Sequence, residues 1–228
     1  MSSGHLNIVA ENIWELTYPL SLVGAQLGRR VTILRLQSGK LLIHSTGPFT
    51  PADLRAIKAL GTPGWIVDVT LNHDTFADLG RAAFPEIPYG VPDDFIHVDG
   101  DRFSLNAPPA EWRDEFQVIE IAGMPRIREY AFHHRPSRTL IVADLVFNFE
   151  ECSTWTRQFF RWAGGIKEYP GMSRLFAAMI ADKLAFNGSL QQIFQCDFDR
   201  LIVAHGQIIQ TDAKARLANA LTARGFKV

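Results

Sequence analysis

Three apolar stretches of this chain end abruptly on residues able to bind a metal or move a proton. They are Thr70-Leu71-Asn72-His73-Asp74, Leu140-Ile141-Val142-Ala143-Asp144 and Leu201-Ile202-Val203-Ala204-His205-Gly206. Neighbouring strands of an α/β sheet bring their ends together at one edge, and binding sites gather at such edges. Two imidazoles and two carboxylates converging there could hold a divalent cation, since zinc, manganese and iron all accept these donors. Each residue also has a plainer use. An Asp after a strand commonly caps the next helix, and a His followed by Gly can simply close a turn.

The elements that must position these residues show in periodicity and punctuation. Residues 12–16 and 30–36 alternate or run apolar with β-branched side chains, as half-buried strands do. Ser38-Gly39 marks a turn, so residues 40–44 return as a hairpin ending in His44. Thr50 can cap a helix with Pro51 in its first turn and Asp53 at its positive end; that helix should stop at Gly61. Residues 65–70 read as a buried strand leading to His73, and Phe76, Leu79 and Phe84 mark a helix that ends at Pro85. Strands are expected at 116–121 and 127–132 around Gly123-Met124-Pro125, then a turn at 134–138. Residues 139–143 are a continuous apolar run, typical of a strand covered on both faces. Residues 147–195 are mostly helical, broken at Gly164-Gly165 and Pro170-Gly171; a strand at 200–204 and a helix at 212–224 close the chain. Strand clusters separated by single helices suit an α/β sandwich, here one domain over residues 1–228.

Composition narrows the partners. The 228 residues are 47% hydrophobic and 21% charged, enough apolar material for a sizeable core. With 23 basic against 24 acidic residues the net charge is -1, which points away from nucleic acid and from a membrane surface and towards a small-molecule ligand. No apolar run approaches the roughly 20 residues of a membrane helix. Met1-Ser2-Ser3-Gly4-His5 carries no basic stretch followed by an apolar core, so a cytoplasmic location is expected. Cys152 and Cys196 are the only cysteines, far apart and outside any CxxC pattern, which disfavours a disulfide scaffold or a cysteine zinc site.

In order and spacing the chain resembles the metallo-β-lactamase superfamily. Leu41-Leu42-Ile43-His44-Ser45-Thr46-Gly47 looks like that family's first motif, with His44 where Asp is usual. The loop from Thr70 to Asp78 lies where HxHxDH belongs, and Ala122-Gly123-Met124-Pro125 resembles the Gly-His turn with Met124 in place of His. Leu140 to Phe147 matches the Asp motif and Val203-Ala204-His205-Gly206 the final His. More narrowly, residues 28–44, 132–148 and 197–206 look like lactamase-like proteins grouped as the domain of unknown function DUF4336. The resemblance implies an αββα four-layer sandwich with metals at one edge.

It also implies a degenerate site. Met124 is a soft thioether and a poor donor to a hard metal, so one metal position loses an essential ligand. In neither register does the loop with His73, Asp74 and Asp78 rebuild the motif: with His73 first, Thr75 and Ala77 fall on the next ligands. What remains is His73, Asp144 and His205, a two-His-one-carboxylate set suited to one Zn, Mn or Fe ion, with Asp74 or His44 as a further ligand or orienting partner. The first reading is a reduced, mononuclear hydrolase of a small ester, thioester or phosphoester. The alternative is a catalytically inactive lactamase-fold ligand-binding or interaction module without metal, in which His44, Asp144 and His205 satisfy one another as a buried cluster.

Other features are expected to be structural. His133 and His134 fall on or beside a strand before a Pro-containing turn and should point to opposite faces, with turn or surface packing. Arg135 and Arg138 read as a solvated turn, and Trp155, Phe159, Phe160 and Trp162 as helix packing. Residues 164–171 are the candidate mobile cover. Cys152 and Ser153 have no neighbouring base, and no GxSxG elbow occurs.

Overall fold

The alternating and apolar runs form two sheets of different character, each with helices from its own stretch of chain. The computed structural model describes residues 4–96 and 100–228, so Met1, Ser2 and Ser3 of the N-terminal segment read above lie outside it. In chain order the elements begin with β1 (Asn7–Ala10), β2 (Ile13–Tyr18), β3 (Ser21–Leu22), β4 (Ala25–Gln26), β5 (Arg29–Arg35) and β6 (Lys40–His44). There follow α1 (Pro51–Leu60), β7 (Thr62–Val67), α2 (Ala77–Ala83), β8 (Tyr89–Val91) and β9 (Arg102–Ser104). The remainder is β10 (Phe116–Ile121), β11 (Glu129–His134), β12 (Thr139–Val142), α3 (Thr154–Trp162), α4 (Arg174–Ala178), α5 (Lys183–Gln195), β13 (Arg200–Val203) and α6 (Ala213–Thr222). Among the described residues no helix is long and apolar enough to cross a membrane.

Two compact units result, one of Met1–Tyr18 with Arg29–Ala110, the other of Pro19–Gly28 with Glu111–Val228. The first holds a seven-stranded sheet in the order β1-β2-β5-β6-β7-β8-β9. Its early strands pair antiparallel, whereas β6, β7, β8 and β9 run parallel, with α1 and α2 as the crossings between them. Strands β8 and β9 fall in the stretch read as irregular, because three residues are too few for a period of two to show. The predicted strand over 65–70 starts earlier and stops at Val67. Beyond that point Thr46 N–H donates to the Asp68 carboxylate at 3.0 Å, so a side chain replaces the ladder.

Helix α1 begins as its sequence requires. Thr50 and Asp53 form a reciprocal capping box, Pro51 opens the first turn and Gly61 follows the last. Asp53 is nearly buried because it does more than cap: it also accepts from Tyr18 Oη at 3.1 Å and Gly4 N at 3.1 Å. Burial and the charge of Asp53 both raise the Tyr18 phenol.

The second unit holds a four-stranded sheet, β10-β11-β12-β13, in which β12 and β13 are parallel. Alternate residues Ile119, Ile121, Ala131, Leu140, Val142, Leu201 and Val203 join one apolar core with α5 (Phe186, Leu190, Ile193) and α6 (Ala213, Leu217, Leu221). The helical residues recur at three and four positions, one stripe per helix. Strand β11 is buried at every position because it has a strand on each side and cover on both faces. Residues 147–153 are not helical as expected, since Phe147 pairs with Gly171 and Asn148 with Gly206.

Asp53 makes an early test of the first unit. Replacing Thr50 by Ala removes one cap bond and should cost about 1 kcal/mol. Asp53→Ala also strips the partner from the Tyr18 hydroxyl, and should cost about 2–3 kcal/mol. Denaturant unfolding measures both, and equal losses in the two variants would show that the Tyr18 bond contributes nothing.

Candidate metal centre

Register brings Asp144 and His205 together. Strands β12 and β13 are parallel with Val142 opposite Val203, so the residues two positions on, Asp144 and His205, leave the sheet side by side. The imidazole is held from behind. Its Nδ1 lies 2.6 Å from the Gly28 carbonyl oxygen, and Phe147 stacks on the ring at 5.6 Å and 9°. A carbonyl only accepts, so Nδ1 carries the hydrogen and Nε2 is turned to Asp144 Oδ1, 3.4 Å away. That gap exceeds the roughly 2.7–2.9 Å of a charge-assisted hydrogen bond. It matches the separation of about 3.3 Å between two donors that share one tetrahedral metal at about 2.0–2.1 Å. The pair therefore fits a single divalent ion.

Asp144 is fixed through its backbone. Glu129, on β11 and fully buried, accepts from Ala143 N at 2.8 Å and Leu145 N at 3.2 Å on Oε1, and from Asp144 N at 2.9 Å on Oε2. Burial pushes this carboxyl up to about 8 and the charge of Asp144 adds to the effect, while the three N–H donors oppose it. The His205 loop is clamped from the other side. Asn148 N donates to His205 O at 3.3 Å, Gln207 N to Asn148 O at 2.7 Å and Asn148 Nδ2 to Gln207 O at 3.0 Å. Gly206 has φ +93°, and a Cβ there would sit 2.0 Å from Asn148 O, so only glycine lets the two loops close.

In the first unit the central group is a carboxylate that the sequence reading passed over. Asp68 is fully buried and pairs with Arg29 Nη2 at 2.8 Å; it also accepts from Thr46 N, Thr46 Oγ1 (2.8 Å) and Tyr89 Oη (2.6 Å). Arg29 in turn donates to the carbonyls of Thr46 at 3.0 Å and His73 at 3.4 Å. The pair thus ties the ends of β6 and β7 to the loop carrying His73. Burial and the Asp68 charge raise the Tyr89 phenol. His44, at the end of β6, is buried near His73; burial lowers its imidazole to about 3, with the charges of Arg29 and His73 acting in the same sense. Asp74 is half-buried, and its carbonyl accepts from Ala77 N as α2 begins.

The remaining expected ligand positions are occupied by core. Met124 is buried in the apolar cluster under α5, and Ala77 in that of the first unit. The turn before Met124 keeps its glycine for packing: Gly123 has φ +79°, and a Cβ would meet Asp182 O at 2.2 Å.

Elsewhere the structure both bears out and corrects the sequence reading. His133 and His134 are buried in β11 rather than at the surface; His133 Nε2 meets Asp197 O at 2.9 Å and His134 Nδ1 meets Ser137 Oγ at 2.7 Å. The central position of β11 explains this. Arg135 donates to Arg113 O and Phe116 O, and Arg138 pairs with Asp197 at the surface. Phe160 packs against Phe147 and Phe149, whereas Trp155 and Trp162 are exposed. Cys152 donates to Phe149 O, and Ser153 caps α3. Residues 165–172 line a cavity of about 490 Å³ against α6, where Arg224 holds the Gly164 and Gly165 carbonyls. Glu129, Asp68, Arg29 and Gly28 were missed, although Asp68 left a signal: it is a lone carboxylate inside the apolar run Trp65 to Val69.

The fold has solved counterparts. No family model matches the chain, and no curated protein matches it. Among solved structures, it is similar to the DIM-1 metallo-β-lactamase exposed to ceftazidime, with TM-score 0.67, 13% identity and 98% of both chains covered. A metallo-β-lactamase from Pontibacter korlensis gives TM-score 0.65 at 10% identity over 99% of this chain and 100% of that one. The FIM-1 enzyme from Pseudomonas aeruginosa in its mono-zinc form gives 0.61 at 12% over 99% and 98%. The chain has the mixed α/β fold of the metallo-β-lactamases, and at these identities the likeness speaks for the fold alone.

Two outcomes are expected from the buried charges. Arg29→Met leaves the Asp68 carboxylate buried without its cation and should cost about 3–5 kcal/mol. The Arg29→Met, Asp68→Asn double variant should lose less than the sum of the single losses, and additive losses in denaturant unfolding would refute the pairing. The second outcome is acid sensitivity. Burial lowers His134 to about 4, against about 6.5 in an unfolded chain. Within that window the unfolded chain binds a proton that the folded one refuses, so stability falls as pH drops from about 6.5 to about 4, by up to about 3 kcal/mol. His134→Gln should flatten that slope, and an unchanged slope would assign the loss to other groups.

Proposed function

We propose that this protein is a metallo-β-lactamase-fold, hydrolase-like protein whose degenerate site holds one divalent metal through His73, Asp144 and His205. The three supply two imidazoles and one carboxylate, a donor set that accepts Zn, Mn or Fe and leaves positions open. The observation that carries the reading is the Asp144–His205 pair: a lone pair of an imidazole, fixed by the Gly28 carbonyl, faces a carboxylate oxygen at a metal's bite distance. A mono-zinc form of a structural neighbour gives a precedent for single occupancy in this fold. A metal ion so held supplies Lewis acidity and acidifies water, the chemistry of ester, thioester and phosphoester hydrolysis.

The protein's own residues do the rest. Gly28 O and Phe147 orient His205, and Glu129 positions the Asp144 backbone. His44, kept neutral by burial and by the charges of Arg29 and His73, is a further ligand or an orienting partner near His73. Asp74 serves its loop, opening α2. The ligand is a small molecule, and the narrower likeness to DUF4336 belongs to this reading.

A second reading has its own observation. Met124 lies in the apolar core where the resemblance calls for a histidine, which favours a ligand-binding or interaction module that carries no metal. Elemental analysis of protein purified without chelator separates the two. The first reading expects about one transition metal per chain, lost in the Asp144→Ala, His205→Ala double variant. Trace metal alone, even after addition of Zn(II), Mn(II) and Fe(II), would leave the metal-free reading standing.

A further inference from the structure

We infer that Glu129 is a positioning residue for metal binding, acting through the backbone of Asp144; the inference rests on the single-metal reading above. The geometry lies wholly within the second unit. Strand β12 ends at Val142, so the N–H groups of Ala143, Asp144 and Leu145 leave the sheet ladder and need other acceptors, and Ala143 and Leu145 are fully buried. All three turn to one carboxylate, at 2.8, 2.9 and 3.2 Å. Three successive amides converging on one anion form a nest, and here the anion is internal.

A carboxylate is a costly way to meet that need. Burying it costs several kcal/mol, recovered only through good hydrogen bonds. Its particular effect is to grip the peptide on both sides of Asp144 with a rigid two-oxygen fork. Asp144 Cα is then fixed relative to β13, where His205 leaves the sheet at the matching register. With the His205 ring fixed by Gly28 and Phe147, the 3.4 Å separation of Oδ1 and Nε2 is set by the two supports rather than by the pair itself. Outer groups that orient metal ligands in this way are typically worth about 10–100-fold in metal affinity.

Zinc alone, titrated into the metal-free full chain against a chromophoric chelator, tests this. Glu129→Gln should weaken zinc binding by about 10–100-fold. Glu129→Asp, too short to reach all three amides, should also weaken it, and serves if the Gln variant does not fold. Asp53→Ala lowers stability from within the other unit and is the control, expected to bind zinc as the unaltered protein does. Folded Glu129 variants with unaltered affinity would overturn this inference alone, and so would an equal loss in Asp53→Ala, which would mark a general effect of stability. Failure of the unaltered chain to bind zinc would overturn the single-metal reading and this inference with it.

Discussion

The buried pair of Arg29 and Asp68 is the constraint on which the first unit depends. Parallel strands deliver their chains to one edge, and beyond their last ladder bonds the backbone must find other partners or stay in water. Here one carboxylate and one guanidinium take over that work. Asp68 accepts from the amide and hydroxyl of Thr46 after β6 and from the hydroxyl of Tyr89 on β8, while Arg29 donates to the carbonyls of Thr46 and His73. Neither charge could be buried alone. Coulomb attraction at 2.8 Å and the full set of hydrogen bonds together offset a desolvation cost of several kcal/mol per ion. The return for that cost is geometric: the loop carrying His73 is tied through its backbone carbonyl to Arg29.

The second unit meets the same problem with different residues. Glu129 gathers the amides beyond β12, and the Asn148–Gly206 clamp gathers those beyond β13. Two neighbouring residues serve the two units: Gly28 gives its carbonyl to His205, and Arg29 its guanidinium to Asp68. In both units the histidines are held through backbone or by a single ring nitrogen. Such support fixes the direction of the ring.

How much of this the sequence discloses depends on the range of the interaction. The capping box of α1 was legible because Thr50, Pro51 and Asp53 act on amides within one turn. The ends of β12 and β13 were legible because apolar runs stop visibly at Asp144 and His205. Glu129 meets residues 14 to 16 positions away, and Asp68 meets Arg29 across 39, distances over which local pattern carries no information. Asp68 nevertheless stands between Ile66-Val67 and Val69, where a charged residue is costly unless something compensates it. The burial of His133 and His134 was missed for a related reason. Alternation assigns faces to a strand but cannot tell that β11 lies between two others with both faces covered.

Met124 and the Asp144–His205 pair differ in what they cost the fold. At Met124 the chain has an apolar side chain within a close-packed core, a choice that stabilises the fold outright. At Asp144 and His205 it has a carboxylate oxygen facing an imidazole nitrogen at 3.4 Å, with a second carboxylate, Glu129, behind the first. Burial and then the Asp144 charge push the Glu129 carboxyl up to about 8, against the pull of its three amide donors. Apolar residues of similar volume would pack there more cheaply, as Met124 does a short distance along the chain. A divalent ion shared by Asp144 and His205, as proposed above, would place positive charge beside these carboxyl groups. In the single-metal reading the ion offsets part of that cost, and in the metal-free reading the His205–Asp144 ion pair takes its place.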